Sequence, residues 1–433
     1  MATERHDVLV IGGGPAGAAA AFWLAKAGHD VCVLERKAFP RDKTCGDGLT
    51  PRAVHQLRAM GLEPAIAAHH HRHEGLRAVA HGITLELRWP EHPVFPDYGY
   101  VVRRRDLDRL VADHAAAAGA TVLQATEAKR PLLADGLVTG AVVEDKTTGE
   151  TREVRARYVI VADGSLSRFG RALGAARNRS YPQGIAIRGY FESPISDDPW
   201  IESCLDVHDR AGRSLPGYGW IFPLGDGTIN VGIGLLSTFK GYKDVNTTHL
   251  MQEWAATAPA RWGIDPDAVL APPTGGRLPM AGSVHPKAGP NWLLVGDAAG
   301  SINPFNGEGI DYAYETARLA ADLVDEALRT GSAAPLARYQ ARLDEEYGLY
   351  FKVARHFATI IGRPALMREL TRVGMRSRSL MEWVLRIMAN LLREDELGPA
   401  EAAYRAVARL ARLVPEPVRS ASSTRSAARR AVS

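Results

Sequence analysis

Gly12, Gly14 and Gly17 stand in a Gly-x-Gly-x-x-Gly spacing within the segment GGGPAG. That spacing suits a pyrophosphate. The first glycine permits a tight turn, the second lets the backbone approach the phosphates, and the third lets a helix pack close to a strand. A helix opening at Pro15 and Ala16 turns the positive end of its dipole toward bound phosphate. Glu35 closes the next apolar stretch, where a carboxylate can accept from ribose hydroxyls. Alone, the glycines would also suit a turn that binds nothing; strand, helix and acid together favour a dinucleotide. Two further aspartates follow apolar stretches, Asp163 in VADGS and Asp297 in VGDAA. An aspartate at the C-terminal end of a parallel strand faces the ligand crevice, so Asp297 suits a second ribose. The amides of Gly309 and Ile310, at the start of a helix after PFNGEG, suit the edge of a ring.

These residues need a βαβ frame. Residues 6–11 predict a buried strand, an Ala-rich helix runs to about Ala27, and a second strand spans Asp30 to Glu35. A helix is expected over 104–118, strands near 121–126, 137–144 and 152–162, and a buried strand at 292–296. Between 181 and 236, GIAIRGYFE, WIESCLDV and TINVGIGLL alternate between faces, the pattern of an antiparallel sheet. Tyr218, Trp220 and Phe222 occupy alternate positions, hence one face of one strand. From Gly309 to about Arg329 and on to about Leu413 the pattern is helical; the last stretch has no apolar period and is expected to be disordered.

The net charge of +4 on 433 residues is too small to suggest nucleic acid. Three cysteines without a CxxC argue against a disulfide framework or structural zinc and fit a reducing cytoplasm. Cys32 and Cys204 lie in strand patterns and are expected in the core. The first strand leaves no room for a signal peptide, and no run of roughly 18 apolar residues suggests a transmembrane helix. His69, His70, His71 and His73 are expected in a solvated loop after a helix rather than at a metal, and no metal site is predicted.

In their order and spacing these motifs resemble the glutathione-reductase-type FAD fold of the aromatic-hydroxylase kind. Arg104-Arg105-Asp106-Leu107-Asp108 matches its Arg-x-x-Leu-Asp element. The resemblance implies a cofactor, FAD, held by Gly12, Gly14, Pro15, Ala16, Gly17, Glu35, Arg104, Asp297, Gly309 and Ile310, with Thr126 near the adenine. Asp163 is then either structural or a pyrophosphate neighbour. Two segments narrow the family. FPRDKTCGDGLTP, residues 39–51, resembles the cysteine loop of geranylgeranyl reductases, and YGWIFP at 218–223 with Gly232-x-Gly234 resembles their substrate-side motif. Within that family the likeness is greatest to members acting on menaquinone.

The resemblance implies three parts. The FAD-binding domain comprises 1–75, 97–180 and 281–345. A substrate-binding sheet domain comprises 76–96 and 181–280, and C-terminal helices occupy 346–413, with a basic tail at 414–433. The implied reaction saturates a C=C bond of an isoprenoid chain. Such an alkene is not polarised, so the site must hold it in line, exclude water and offer an acid. Cys45, with Gly46, Asp47 and Gly48, is expected at the FAD. The thiol is a weak acid at a reference pKa of about 8.5, so a nearby water or Asp47 is the expected donor; the alternative for Cys45 is packing in a Gly loop. Tyr218, Trp220 and Phe222 form the expected wall for a prenyl tail, or else a face packed on the core. Burial of one five-carbon unit contributes up to about 4 kcal/mol, so a membrane lipid is the expected substrate.

The enzyme is then expected in the cytoplasm, peripherally associated with the membrane. Two features suit that: the stripe Leu380, Met381, Val384, Leu385, Met388, Leu391 and Leu392, which equally suits packing on the protein, and seven arginines against two glutamates from Glu401 onward. The electron donor is NAD(P)H or a reduced carrier, since no second complete Gly-x-Gly-x-x-Gly unit is visible. The rivals are a geranylgeranyl-lipid reductase, an FAD monooxygenase or halogenase on the same fold, and a non-enzymatic flavin electron carrier.

Overall fold

A computed structural model describes residues 4–208, 212, 214–215, 217–238, 246–393, 396 and 398–415. The first strand, Glu4–Ile11, is the centre of a seven-stranded sheet. It pairs in parallel with Val31–Leu34 on one side and Thr151–Val161 on the other. Val8, Leu9, Val10 and Ile11 are all buried because both faces of the sheet are covered. Val8 and Val10 pack toward the helix Pro15–Lys26, while Leu9 and Ile11 meet Cys32, Leu34, Val159 and Val161 on the other face.

The strand Thr151–Val161 is long enough to change neighbours along its length. Its first half pairs antiparallel with Leu137–Asp145, and its last three residues pair in parallel with Trp292–Leu294. The sequence reading missed Thr126–Ala134, which pairs antiparallel with Leu137–Asp145. The preceding strand is Thr121–Leu123, and Ala125 turns the chain with φ 51°. The apolar alternation is weak here because several side chains of the missed strand face solvent.

The second sheet also has seven strands. In order they are Thr274–Pro279, Gln183–Glu192, Thr228–Leu236, Gly217–Pro223, Trp200–Cys204, Gly75–Ala80 and Ile83–Arg88. All neighbours are antiparallel except Trp200–Cys204 with Gly75–Ala80. Met251 and Trp254 of the helix Thr247–Thr257 pack on one face, with Ile187, Phe191 and Ile221. Tyr218, Trp220 and Phe222 stand on the opposite face and line a cavity. Cys32 and Cys204 are buried in strands, as expected.

A third, three-stranded sheet joins Gly48–Leu49, Gly99–Val101 and His71–His73. It corrects the expectation of a solvated histidine loop. His73 is fully buried; its Nδ1 accepts from Trp89 Nε1 at 3.2 Å and its Nε2 meets Leu49 O at 3.2 Å. Burial pushes its pKa down to about 3, so the ring is neutral and part of the core.

The C-terminal region is helical through Leu349–Ile361, Pro364–Gly374, Arg378–Met388 and Pro399–Leu413. Of the expected basic tail, 416–433 lies outside the described residues.

Candidate active site

One cavity of about 960 Å³ runs from the glycine turn to the second sheet and the C-terminal helices. At one end the first strand leads into Gly12, whose φ of +104° and proximity to Ala162 O, 2.5 Å from where a Cβ would stand, exclude other side chains. Gly17 does not line the cavity; a Cβ there would meet Gly12 O at 1.8 Å, so it serves helix–strand packing. Gly14 differs from both. It lines the cavity, its φ is −74°, and the nearest atom to an added Cβ is Arg41 Nη2 at 3.6 Å. Nothing in the fold requires glycine there, and a side chain would fill the space before the helix N-terminus. The residues therefore fit a dinucleotide pyrophosphate, such as that of FAD.

Charge is arranged in alternation beneath that space. Glu35 Oε2 accepts from Gly13 N at 3.0 Å and from Arg41 Nη2 at 3.2 Å. Arg41 Nη1 donates to Asp108 Oδ2 at 2.9 Å, and Arg104 binds both oxygens of Asp108 at 2.7 and 2.8 Å. Thr126 lies beside Glu35, its backbone N donating to Glu35 O at 2.8 Å. Pro15, Ala16, Glu35, Arg41, Arg104, Thr126, Asp297, Gly309 and Ile310 all line the cavity. Asp163 also lines it, yet its Oδ2 accepts from Phe169 N at 2.9 Å, anchoring the short helix Arg168–Ala172. Sequence reasoning gave Arg41 no role, because only the fold brings it between Glu35 and Asp108.

The cysteine loop crosses the middle of the cavity. Cys45, Gly46 and Gly48 line it, and a Cβ on Gly46 or Gly48 would stand 3.0 Å from Phe222 Cε2. The Cys45 thiol is half-buried; burial pushes its pKa up, partly opposed by the Arg104 guanidinium, so it is a thiol at neutral pH.

Asp47 corrects the sequence reading. It is fully buried and is not among the residues that line the cavity. Its Oδ2 accepts from Tyr190 Oη at 2.6 Å and Asn230 Nδ2 at 2.8 Å, and its Oδ1 from Arg104 N at 3.1 Å. Its φ of 67° bends the loop back, which Asn230 Nδ2 secures by donating also to Cys45 O at 2.9 Å. Asp47 is therefore a clamp that aims Cys45. Asn230 and Tyr190 were missed, although a fully buried asparagine in the apolar strand TINVGIGLL is itself a signal of a buried network.

The far end of the cavity is apolar. Tyr218, Trp220 and Phe222 follow one another with ring centroids 6.0 and 6.3 Å apart. Their polar tips are occupied elsewhere: Tyr218 Oη donates to Asn306 O at 2.6 Å and Trp220 Nε1 to Asn230 Oδ1 at 2.9 Å. Aromatic surface without free polar atoms remains. Leu380, Met381, Val384, Leu385 and Met388 line the cavity as well, so this stripe packs inward, as one of its two readings had it.

Buried carboxylates complete the site. Glu308 and Asp311 line the cavity, and both Asp311 oxygens are buried without a hydrogen-bond partner. Burial, reinforced by Glu315, pushes Asp311 up to about 7. Burial and then Asp311 push Glu308 up. Arg52 is held by Glu315 at 2.7 and 2.8 Å. An unfolded aspartate releases its proton near pH 4, whereas folded Asp311 keeps it until about pH 7. Its contribution to stability therefore falls as pH climbs through that window and is flat above it. Asp311→Asn should shrink the loss of melting temperature between pH 5 and pH 8; an equal loss in variant and parent would contradict the assignment.

Residues 5–345 match the family model described as FAD binding domain. The chain is 42% identical over 414 residues to a menaquinone reductase of Mycobacterium tuberculosis, covering 95% of this chain and 97% of that one. It is 33% identical over 366 residues to a digeranylgeranylglycerophospholipid reductase of Methanopyrus kandleri, covering 82% and 91%. Among solved structures, a geranylgeranyl bacteriochlorophyll reductase-like protein from Thermoplasma acidophilum shares the fold with a TM-score of 0.75 at 22% identity, covering 94% and 100%.

Proposed function

The chain belongs to the geranylgeranyl reductase family of FAD-binding oxidoreductases, and from that premise we propose that it saturates a C=C bond in the isoprenyl side chain of menaquinone. The observation that carries the reading is the joining, in one cavity, of a dinucleotide cradle, a protonated thiol and an aromatic wall with no free polar tip. A quinone with a long prenyl tail suits the apolar end, and the extent of likeness to the mycobacterial menaquinone reductase favours it over other prenyl lipids.

Bound in the cradle, reduced FAD supplies the hydride equivalent that the alkene needs. The residues supply everything else. Gly14 and the helix N-terminus would hold phosphate, Glu35 and Asp297 would accept from sugar hydroxyls, and Arg104 N braces the cysteine loop by donating to Asp47 Oδ1. Tyr218, Trp220 and Phe222 hold the chain and exclude water. Asp47 and Asn230 fix Cys45 at the boundary between cradle and apolar chamber. The thiol, or a water it holds, is the proton donor there. No helix among the described residues is long and apolar enough to cross a membrane, and we place the enzyme at the cytoplasmic membrane surface.

Lipid mass spectrometry of cells with and without the protein tests the substrate. Menaquinone two mass units heavier should appear only in cells that carry it. If menaquinone is unchanged and geranylgeranyl lipids gain hydrogen instead, the family stands and the menaquinone assignment falls.

A further inference from the structure

The helix Pro364–Gly374 is anomalous for a soluble surface. It buries only Thr371 and Gly374. Leu366, Leu370 and Val373 are 37%, 45% and 60% exposed. Their spacing of i, i+4 and i+7 puts them on one face. The segment 363–376 carries Arg363, Arg368, Arg372 and Arg376 with Glu369 its sole acid, and Glu369 is paired with Arg372 at 2.6 Å. Apolar residues flanked by arginines suit the boundary between acyl chains and anionic headgroups.

The helix is also continuous with the cavity. Met367, Leu370, Thr371 and Gly374 line it, and Leu370, lining and yet 45% exposed, stands at its mouth. The helix Pro399–Leu413 exposes an apolar stripe too, at Val407, Leu410 and Leu413, but none of its residues reaches the cavity. That helix carries Arg405, Arg409 and Arg412 as well, so continuity with the chamber is what singles out the first helix.

We propose that Pro364–Gly374 lies on an anionic lipid bilayer and that the prenyl chain passes from the membrane into the chamber beside Leu370. The inference rests on the reading of the substrate as a membrane prenyl lipid. It places the docking surface on this helix rather than on the stripe from Leu380, which faces the cavity.

The test uses the full-length, FAD-loaded protein and a Leu366→Asp/Val373→Asp variant. Neither residue lines the cavity, so flavin content, melting temperature and reduction of a detergent-dispersed short-chain menaquinone should match the parent. Co-sedimentation with phosphatidylcholine vesicles containing phosphatidylglycerol should weaken about tenfold or more in the variant. In the parent it should weaken when the anionic lipid is left out. Undiminished sedimentation of the variant would overturn the proposal, as would equal binding of the parent to neutral vesicles. So would conversion of a dimeric parent to a monomer with vesicle binding intact, which would make the face an interface between copies. A parent that ignores vesicles but reduces dispersed menaquinone sinks only the docking surface. Helix-dependent vesicle binding without reduction of any prenyl lipid sinks only the substrate reading.

Discussion

Gly14→Val should give a folded, colourless protein. Gly12 and Gly17 are glycines for the sake of the chain itself, since a Cβ at either would strike backbone at 2.5 or 1.8 Å. Gly14 has ordinary φ, and its Cβ would point into open cavity beside Arg41. Its reason for being glycine is therefore the ligand. A Cβ there meets no backbone, only Arg41 Nη2 at 3.6 Å, so valine should intrude on the space assigned to the pyrophosphate rather than on the chain. The unfolding free energy of flavin-free variant and flavin-free parent should agree within about 0.5 kcal/mol. FAD affinity should fall by about a hundredfold or more, as expected when several charge-assisted hydrogen bonds are lost together. Heat release and chromatography of flavin from the purified proteins measure this. A yellow Gly14→Val protein with FAD at parental stoichiometry would contradict the placement of the cofactor.

Cys45→Ala should produce the opposite separation, full flavin with little turnover. The Cys45 carbonyl is what Asn230 binds, and alanine keeps it, so the loop should hold its course. What is lost is the one thiol facing the cavity, kept protonated by burial. Removing a positioned proton donor lowers rates by about 10² to 10⁴. Flavin stoichiometry and product mass, measured on the same preparation, check both halves. Undiminished reduction would leave Cys45 as packing in a glycine-lined turn. Asn230→Ala should also slow reduction while sparing flavin, and Asn230→Gln, which keeps the amide donor, should restore it in part if positioning is its role.

The parts of this account legible in the sequence are those whose function follows from local spacing. The glycine turn, Glu35 at the end of the next strand and the alternation of Tyr218, Trp220 and Phe222 depend on periods of a few residues, and the structure has them in strands and turns as expected. What escaped depends on contacts across the chain. Asp47 looks like a catalytic acid in CGDG, and only Tyr190 and Asn230, more than 140 residues away, reveal it as a clamp. Arg41 gains its role from Asp108, 67 residues on. His73 sits in a polar stretch yet is buried, because Leu49 and Trp89 close over it. The stripe from Leu380 shows its period plainly, but a period does not say which neighbour it faces; here it faces the cavity.

The central claim is that this cavity adds hydrogen, and no oxygen, to a prenyl chain. Reduced, FAD-loaded protein incubated with menaquinone under strict anaerobiosis tests it most directly, with the product read by mass spectrometry. The expected product is two mass units heavier, formed without air and carrying the original number of oxygen atoms. A product heavier by one oxygen, appearing only when air is admitted, would instead make the chain an oxygenase on this fold and contradict the account.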